Sequence, residues 1–287
     1  MMTVETPGAR LLRRFWEKPI ARISVCIILF FVLAAGGTAL LSSFGHHWPC
    51  DPNATHLEQK LLPPSPQHWL GTDNLGRDVF SRMLHGAGIS LTVGFIAVAV
   101  SLGIGLVVGA IAGYFGGITD QILMRSVDAL LCFPTFFLIL TVVAILGPSL
   151  INIVVIIGLV SWTGTARLVR GEFLTLRETE YVKGARVLGQ GAWHIITRHI
   201  LPNAAAPILV TAVLGIPDAI LTEAGLSFLG FGVQPPQATW GNIIAEGKTY
   251  LLDAWWLIIF PGLAILIAAL SFYLAINALQ EASESRS

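Results

Sequence analysis

Six long apolar stretches constrain the fold of this 287-residue sequence more than any other feature. A helix needs about 20 apolar residues to cross the hydrocarbon core of a bilayer, which is about 30 Å thick. Only 12% of the residues are charged, whereas soluble domains carry about 25%. The sequence therefore predicts an all-α membrane protein. It excludes a disulfide-stapled secreted module and a basic nucleic-acid-binding protein. The six predicted transmembrane helices cover residues 23–41, 89–113, 127–146, 149–162, 207–226 and 255–279.

The positions of lysine and arginine predict the orientation of these helices. Cytoplasmic loops carry an excess of Lys and Arg, and with six spans 13 of the 17 basic residues lie on the side of both termini. We therefore expect the N- and C-termini and the loop after the fourth span in the cytoplasm. The basic start of the chain also fits a signal peptide, but the five later spans favour an uncleaved anchor.

This orientation divides the chain into parts with different expected roles. The external segment is rich in proline, and the loop after the fourth span is the most charged part of the chain. The predicted parts are a cytoplasmic N-terminal tail (1–22), a first span (23–41), an external segment with an interfacial helix (42–88), a membrane core (89–279) that includes a cytoplasmic loop (163–202), and a C-terminal tail (280–287).

The cytoplasmic loop contains an amphipathic pattern. Its apolar residues recur at steps of three or four, which indicates one face of a helix, and Gly189 and Gly191 predict a bend between two short helices. Two interpretations stay open: a surface helix at the bilayer interface, or a docking helix for a cytoplasmic partner. The apolar residues of this face are Tyr181, Ala185, Leu188, Ala192, Ile196 and Ile200.

The external segment contains two acid-before-base pairs at helical spacing. Asp73 precedes Arg77 by four residues, and Asp78 precedes Arg82 by the same distance, a spacing that stabilises a helix. Thr72 or Asp73 is suited to cap that helix. We predict a short helix on the outer membrane face that either ends the second span or shapes the outer mouth of a translocation path.

Three carboxylates fall in or at the ends of predicted spans, namely Asp128, Asp218 and Glu223. A charge in the bilayer is costly and therefore tends to face protein or a water-filled path. Pro207 and Pro217 predict kinks in the fifth span. Asp218 and Glu223 are therefore candidates to line a translocation path, and the alternative is that both lie near the outer interface.

Small residues recur every four positions in the second span, at Gly105, Gly109, Gly113 and Gly117. Such spacing lets helix backbones approach closely. The pattern predicts close helix packing, either inside this chain or across a dimer interface.

No pattern in the sequence indicates catalytic residues or a cofactor bound by this chain. Residues 241–249 resemble a phosphate-binding loop, but five residues separate the glycines instead of four. We therefore predict no ATP site and no metal site, although a membrane enzyme or an ion channel, either of which would act without nucleotide, remains an alternative class. A group of external residues has side chains that can bind a metal, but their spacing matches no fixed ligand pattern. These residues are His46, His47, Cys50, Asp51 and His56.

Three segments together resemble a known family. Residues 179–203 resemble the cytoplasmic EAA loop of ABC importer permeases, with Ala185, Gly189 and Leu201-Pro202 at matching positions and Lys183 in place of the motif's Glu. Residues 70–82 (LGTDNLGRDVFSR) and 223–236 (EAGLSFLGFGVQPP) resemble the C-type permease of the dipeptide, oligopeptide and nickel branch. The C-terminus departs from the acidic pattern that usually ends this family.

The resemblance implies a type I ABC importer permease in the bacterial cytoplasmic (inner) membrane. It implies half of a translocation path for short peptides delivered by an external binding protein, with nickel or a metal chelate as the alternative substrate. The implied partners are a B-type sister permease, two cytoplasmic ABC ATPases that use ATP and Mg²⁺, and membrane lipid, with no nucleic acid. The implied ATPase-coupling residues are Glu180, Tyr181, Lys183, Gly184, Ala185, Arg186, Leu188 and Gly189.

Overall fold

The computed structural model describes residues 13–45 and 48–284, and this part of the chain is helical apart from turns, loops and one isolated bridge between Thr72 and Asp78. Short 3₁₀ turns lie at Leu57–Gln59 and Lys248–Tyr250, and a π-helical turn covers Ile196–Ile200. The helices are α1 (Pro19–Ser43), α2 (Val79–Phe115), α3 (Gly117–Leu131), α4 (Thr135–Leu146), α5 (Leu150–Leu176), α6 (Glu180–Val187), α7 (Ala192–Ile195), α8 (Leu201–Phe228), α9 (Trp240–Gly247) and α10 (Trp256–Glu284).

The predicted set of apolar spans is confirmed, with one span broken. In the described residues, five helices are long and apolar enough to cross a membrane: α1, α2, α5, the continuous run from α7 through α8, and α10. The helices α3 and α4 meet at 79° and supply a sixth span if they are taken together. The prediction of one helix over 127–146 is wrong, because Pro134 lacks the N–H that a continuing helix requires and starts α4 from an extended conformation.

Two predicted segments differ in secondary structure from the expectation. The predicted loop over 163–202 begins as helix, because α5 continues to Leu176 and buries Val169 and Phe173. The separate interfacial helix before the second span does not exist, since α2 starts at Val79 and continues to Phe115. The residues before Val79 form turns, and Gly76 has φ +72° in a place where a Cβ atom would lie 1.8 Å from the His56 carbonyl oxygen.

The chain divides into two compact units. The first unit combines the described residues up to Gly94 with those from Ile216 onward, and in it α1 and α9 both pack on α10. Trp240, at the start of α9, is buried there. Its indole N–H donates to the Met83 carbonyl over 3.1 Å, and its backbone N–H donates to Ser90 Oγ over 3.1 Å.

The second unit covers residues 95–215, and its α2 segment packs closely against α5. A Cβ atom added at Gly105, Gly109 or Gly113 would lie 2.5–2.6 Å from atoms of α5. The glycine pattern therefore serves packing inside this chain at these three positions. Gly117 is different, because it starts α3 with φ +55° and has open space around it.

Gly109→Val is expected to destabilise the second unit. Its added atoms would meet the Ala166 carbonyl oxygen at 2.5 Å and the Val169 side chain at 2.7 Å, and overpacking typically costs about 1–3 kcal/mol. The apparent melting temperature of the purified protein in detergent should fall by several degrees. Gly103→Val in the same helix is the control, because nothing lies within 4 Å of its Cβ position. Equal melting temperatures for the two variants would contradict this packing.

Candidate functional site

The loop after α5 contains one separate short helix, α6, which is firmly anchored. The second predicted short helix is instead the start of the continuous run from α7 into α8. Val182 and Ala185 of α6 are buried in a core of the second unit. This core also contains residues of α2, α5, the π-helical turn and α8, so α6 is held against the ends of several spans. The other core residues are Ala110, Val169, Phe173, Ile195, Ile196, Ile200, Ala204 and Ile208.

Gly189 ends α6 in a defined capping turn. Its φ is +76°, a left-handed conformation that glycine adopts without a steric penalty. The Gly189 N–H donates to the Arg186 carbonyl over 3.0 Å, and the Gln190 N–H donates to the Ala185 carbonyl over 3.2 Å. These two bonds form a Schellman motif, which gives a physical reason for glycine at this position.

The basic residues of α6 have partners inside the chain. The Arg186 guanidinium lies over the Tyr114 ring, 5.5 Å from its centroid. Lys183 Nζ lies 3.7 Å from Glu180 and 3.8 Å from Glu178. Exposed pairs of this kind contribute about 0–1 kcal/mol each, so they orient these side chains without fixing the helix.

Three large apolar side chains of the loop, Val187, Leu188 and Trp193, are exposed; we call them the apolar patch. Their exposed fractions are 87%, 80% and 76%. Of the predicted apolar face, Ala185 is buried together with Val182, whereas Tyr181 and Leu188 are exposed. The capping turn at Gly189 redirects the chain after Leu188. Large apolar side chains that face water are typical of an interaction surface.

The sequence motif at residues 73–82 builds a buried polar cluster in the first unit. Asp73 Oδ2 lies 2.6 Å from Arg77 Nε and 2.5 Å from Arg82 Nη1. Glu246 Oε2 of α9 lies 2.8 Å from Arg77 Nη2 and 2.5 Å from Arg82 Nη1. Two carboxylates thus face two guanidinium groups. We refer to Asp73, Arg77, Arg82 and Glu246 as the buried polar cluster.

The predicted helical pairing of these residues is only half right. Asp73 does pair with Arg77, but in a turn, where its Oδ1 also accepts from the backbone N–H of Arg77 over 2.9 Å. The predicted Asp78–Arg82 pair is wrong. Asp78 Oδ2 lies 2.9 Å from His68 Nδ1, and its Oδ1 accepts from the Ser81 N–H over 2.8 Å as the cap of α2. Sequence spacing gave no signal for the contact of Arg82 with Glu246, which lies 164 residues away.

Glu223 is fully buried in the first unit, between the end of α8 and the start of α9. Its Oε1 accepts from Ser227 Oγ over 2.7 Å and from Thr239 Oγ1 over 3.0 Å. Thr239 in turn caps α9 in a reciprocal capping box with Asn242. Glu223 holds this connection together through these hydrogen bonds. Its role in a translocation path stays a prediction.

Asp218 occupies the other side of α8. Ile216, Ala219 and Ile220 are buried, whereas Asp218 is exposed. In the described part of the chain, no ion pair or hydrogen bond involves its carboxylate. Asp218 therefore remains a candidate for a translocation path.

A ladder of ion pairs that the sequence did not reveal joins α3 to α5. Arg170 Nε and Nη2 lie 2.5 and 2.6 Å from the two carboxylate oxygens of Asp120. Arg167 Nη2 lies 2.5 Å from Asp128 Oδ1, and this pair is about half exposed. The partners are about 40 and 50 residues apart along the chain, so no local spacing could have indicated them.

The segments considered for metal and nucleotide binding have other structures. Cys50 Sγ lies 3.0 Å from Ser81 Oγ, and burial raises the pKa of this thiol. His46 and His47 lie outside the described residues, and within those residues no group of three His, Cys, Asp or Glu side chains is placed to hold a metal ion. Residues 240–247 form α9 and not a phosphate-binding loop.

Glu223→Leu is expected to loosen the connection between α8 and α9. The substitution removes the acceptor of two buried hydroxyl donors, Ser227 and Thr239, and each unsatisfied group costs about 1–3 kcal/mol. The melting temperature in detergent should fall by several degrees. Glu223→Gln keeps a carbonyl acceptor at this position and should stay near the wild-type value, so a Gln variant as unstable as the Leu variant would contradict this role.

Comparison with known proteins gives a consistent result. Residues 105–287 match the family model of the binding-protein-dependent transport system inner membrane component. The chain is 41% identical to a probable D,D-dipeptide transport system permease protein of Escherichia coli, over 93% of this chain and 88% of that protein. It is 38% identical to a dipeptide transport system permease protein of Alkalihalophilus pseudofirmus, over 99% and 91%.

A third relative and a solved structure agree with this result. An oligopeptide transport system permease protein of Bacillus subtilis is 36% identical, over 95% of this chain and 88% of that protein. Among solved structures, a chain of the inward-facing MetNI methionine ABC transporter matches with a TM-score of 0.50 and 17% identity, over 68% of this chain and 95% of that chain. At this identity the structural match shows the fold.

Proposed function

Since this chain belongs to the family of binding-protein-dependent transport system inner membrane components, as a multi-pass inner membrane permease of the peptide branch of ABC importers, we propose that it forms half of a translocation path for short peptides. The relatives described above are named for dipeptide and oligopeptide transport, which supports peptides over the alternative, nickel or a metal chelate. An external binding protein delivers the substrate, and a sister permease, most simply of the B-type, forms the other half.

The apolar patch is the observation that carries the proposal. Val187, Leu188 and Trp193 are exposed on a loop that the distribution of Lys and Arg places in the cytoplasm. Water-facing apolar side chains of this size gain free energy when a partner covers them. We assign that partner role to a cytoplasmic ABC ATPase, which hydrolyses ATP.

The anchoring of α6 supplies a route for coupling. Closure of the ATPases on ATP presses on the apolar patch, and the buried side chains Val182 and Ala185 carry this displacement to Phe173 of α5 and Ala204 of α8. A nucleotide can shift the permease only through a difference in contact between its two states. The patch is the surface at which that difference arises in this proposal.

Reconstitution tests the function directly. The chain is purified with its sister permease, its two ATPases and its binding protein, and is placed in proteoliposomes with radiolabelled di- to pentapeptides or with ⁶³Ni²⁺ on the binding-protein side. We expect peptide uptake that requires ATP and the binding protein, and that stops when the ATPase carries a defective catalytic site. Nickel uptake without peptide uptake would replace the substrate assignment, and uptake without the ATPases would overturn the importer assignment.

A further inference from the structure

Asp218 is the one carboxylate of the predicted spans that has no ion pair or hydrogen bond in the described residues. Only two of the six predicted spans contain charged residues: Asp128 lies in the third, and Asp218 and Glu223 lie in the fifth. Asp128 is paired with Arg167, and Glu223 accepts from buried hydroxyl groups. Asp218 lies in the interior of the predicted fifth span, 11 residues from its start and eight from its end. A carboxylate at this depth costs about 2.5–3.5 kcal/mol against lipid, so the exposed Asp218 side chain must face water, protein or a ligand.

The surroundings of Asp218 on α8 are weakly polar. The residues one helical turn from it are Leu214, Gly215, Leu221 and Thr222, together with Thr211 one turn further back. The hydroxyls of Thr211 and Thr222 donate to the carbonyls of Pro207 and Asp218. Neither hydroxyl therefore compensates the Asp218 charge, and this side of α8 presents a single anion.

The proposed substrate carries the complementary charge. A short peptide crosses the membrane with a protonated amino terminus and an ionised carboxyl terminus, and each loses hydration in an apolar passage. A lone carboxylate compensates the amino terminus and repels the carboxyl terminus. Resting on the proposed function, we propose that Asp218 binds the α-ammonium group of the peptide during its passage.

The test changes the charge at position 218 and leaves the rest of the molecule unchanged. In the reconstituted complex, Asp218→Asn should lower ATP-dependent uptake of Ala-Ala about 10-fold, the loss expected for one charge-assisted hydrogen bond. Recovery of the sister permease and ATPases on purification should stay unchanged. Asp253→Asn, at an exposed carboxylate before α10, is the control and should transport as the wild type does.

A chemical rescue decides whether charge is what matters. In a variant with Cys26, Cys50 and Cys132 replaced by serine, Asp218→Cys should regain uptake with the anionic reagent MTSES and not with the cationic reagent MTSET. Equal rescue by both reagents, or wild-type uptake by Asp218→Asn, would overturn the proposal. Loss of the sister permease from Asp218→Asn would show instead that Asp218 pairs with a cation of that subunit, whereas failure of the wild type to transport any peptide would overturn the proposed function itself.

Discussion

Arg82→Leu should be the most destabilising single change in the first unit. The Arg82 guanidinium is fully buried and contacts both Asp73 and Glu246, so its loss leaves two carboxylates to share Arg77. Breaking a buried ion pair in this way costs about 3–5 kcal/mol. We expect a fall of about 10 °C or more in the melting temperature in detergent, and poor recovery from the membrane.

The experiment has two matched comparisons. Arg13→Gln removes one partner of the exposed Arg13–Glu17 pair and should change stability by less than about 0.5 kcal/mol. Adding Glu246→Leu to Arg82→Leu removes one unpaired carboxylate and should recover part of the loss. If Arg82→Leu melted at the wild-type temperature, the buried polar cluster would not be what joins the turn before α2 to α9.

Leu188→Asp should produce the largest loss of activity with an intact fold. Leu188 is 80% exposed, so an aspartate there stays in water when the permease is alone. In the complex it places a charge in the proposed ATPase contact, where a desolvated and unpaired charge costs several kcal/mol. Peptide uptake should fall at least 10-fold, and less ATPase should be recovered with the permease.

Two further variants delimit this prediction. Leu252→Asp, at a leucine before α10 that is 95% exposed, is the control and should leave ATPase recovery and melting temperature unchanged. Ala185→Asp would be uninformative about docking, because Ala185 is buried in the core beneath α6 and the variant would unfold that core. A Leu188→Asp permease that retains its ATPases and full uptake would overturn the docking assignment.

The sequence predicted those parts of the fold that a local rule controls. The apolar stretches predicted the spans because the thickness of the bilayer sets the length of a helix that crosses it. Gly189 predicted the bend after α6 because glycine is unfavourable inside a helix. In the structure it adopts the left-handed conformation that ends a helix. The same rules failed where one residue overrides a long pattern, as Pro134 does in the third span.

The candidate sites were less predictable because their contacts join distant residues. Asp73 and Arg77 were found together from their spacing, but their shared partner Glu246 lies in α9. The same limit applies to Arg170, whose partner Asp120 lies 50 residues away. Glu223 and Asp218 looked alike in the sequence, and only the packing of α8 separates a buried anchor from an exposed charge.

The capping turn after α6 constrains the number of residues in this loop more strongly than the identity of its exposed side chains. The left-handed Gly189 and its two backbone hydrogen bonds define this turn, so a residue inserted beside Gly189 would disrupt it. We therefore expect relatives to exchange the exposed side chains of the loop more readily than to add or remove a residue here. Evolution of this contact is thus expected to proceed by substitution within a fixed spacing between the two helices.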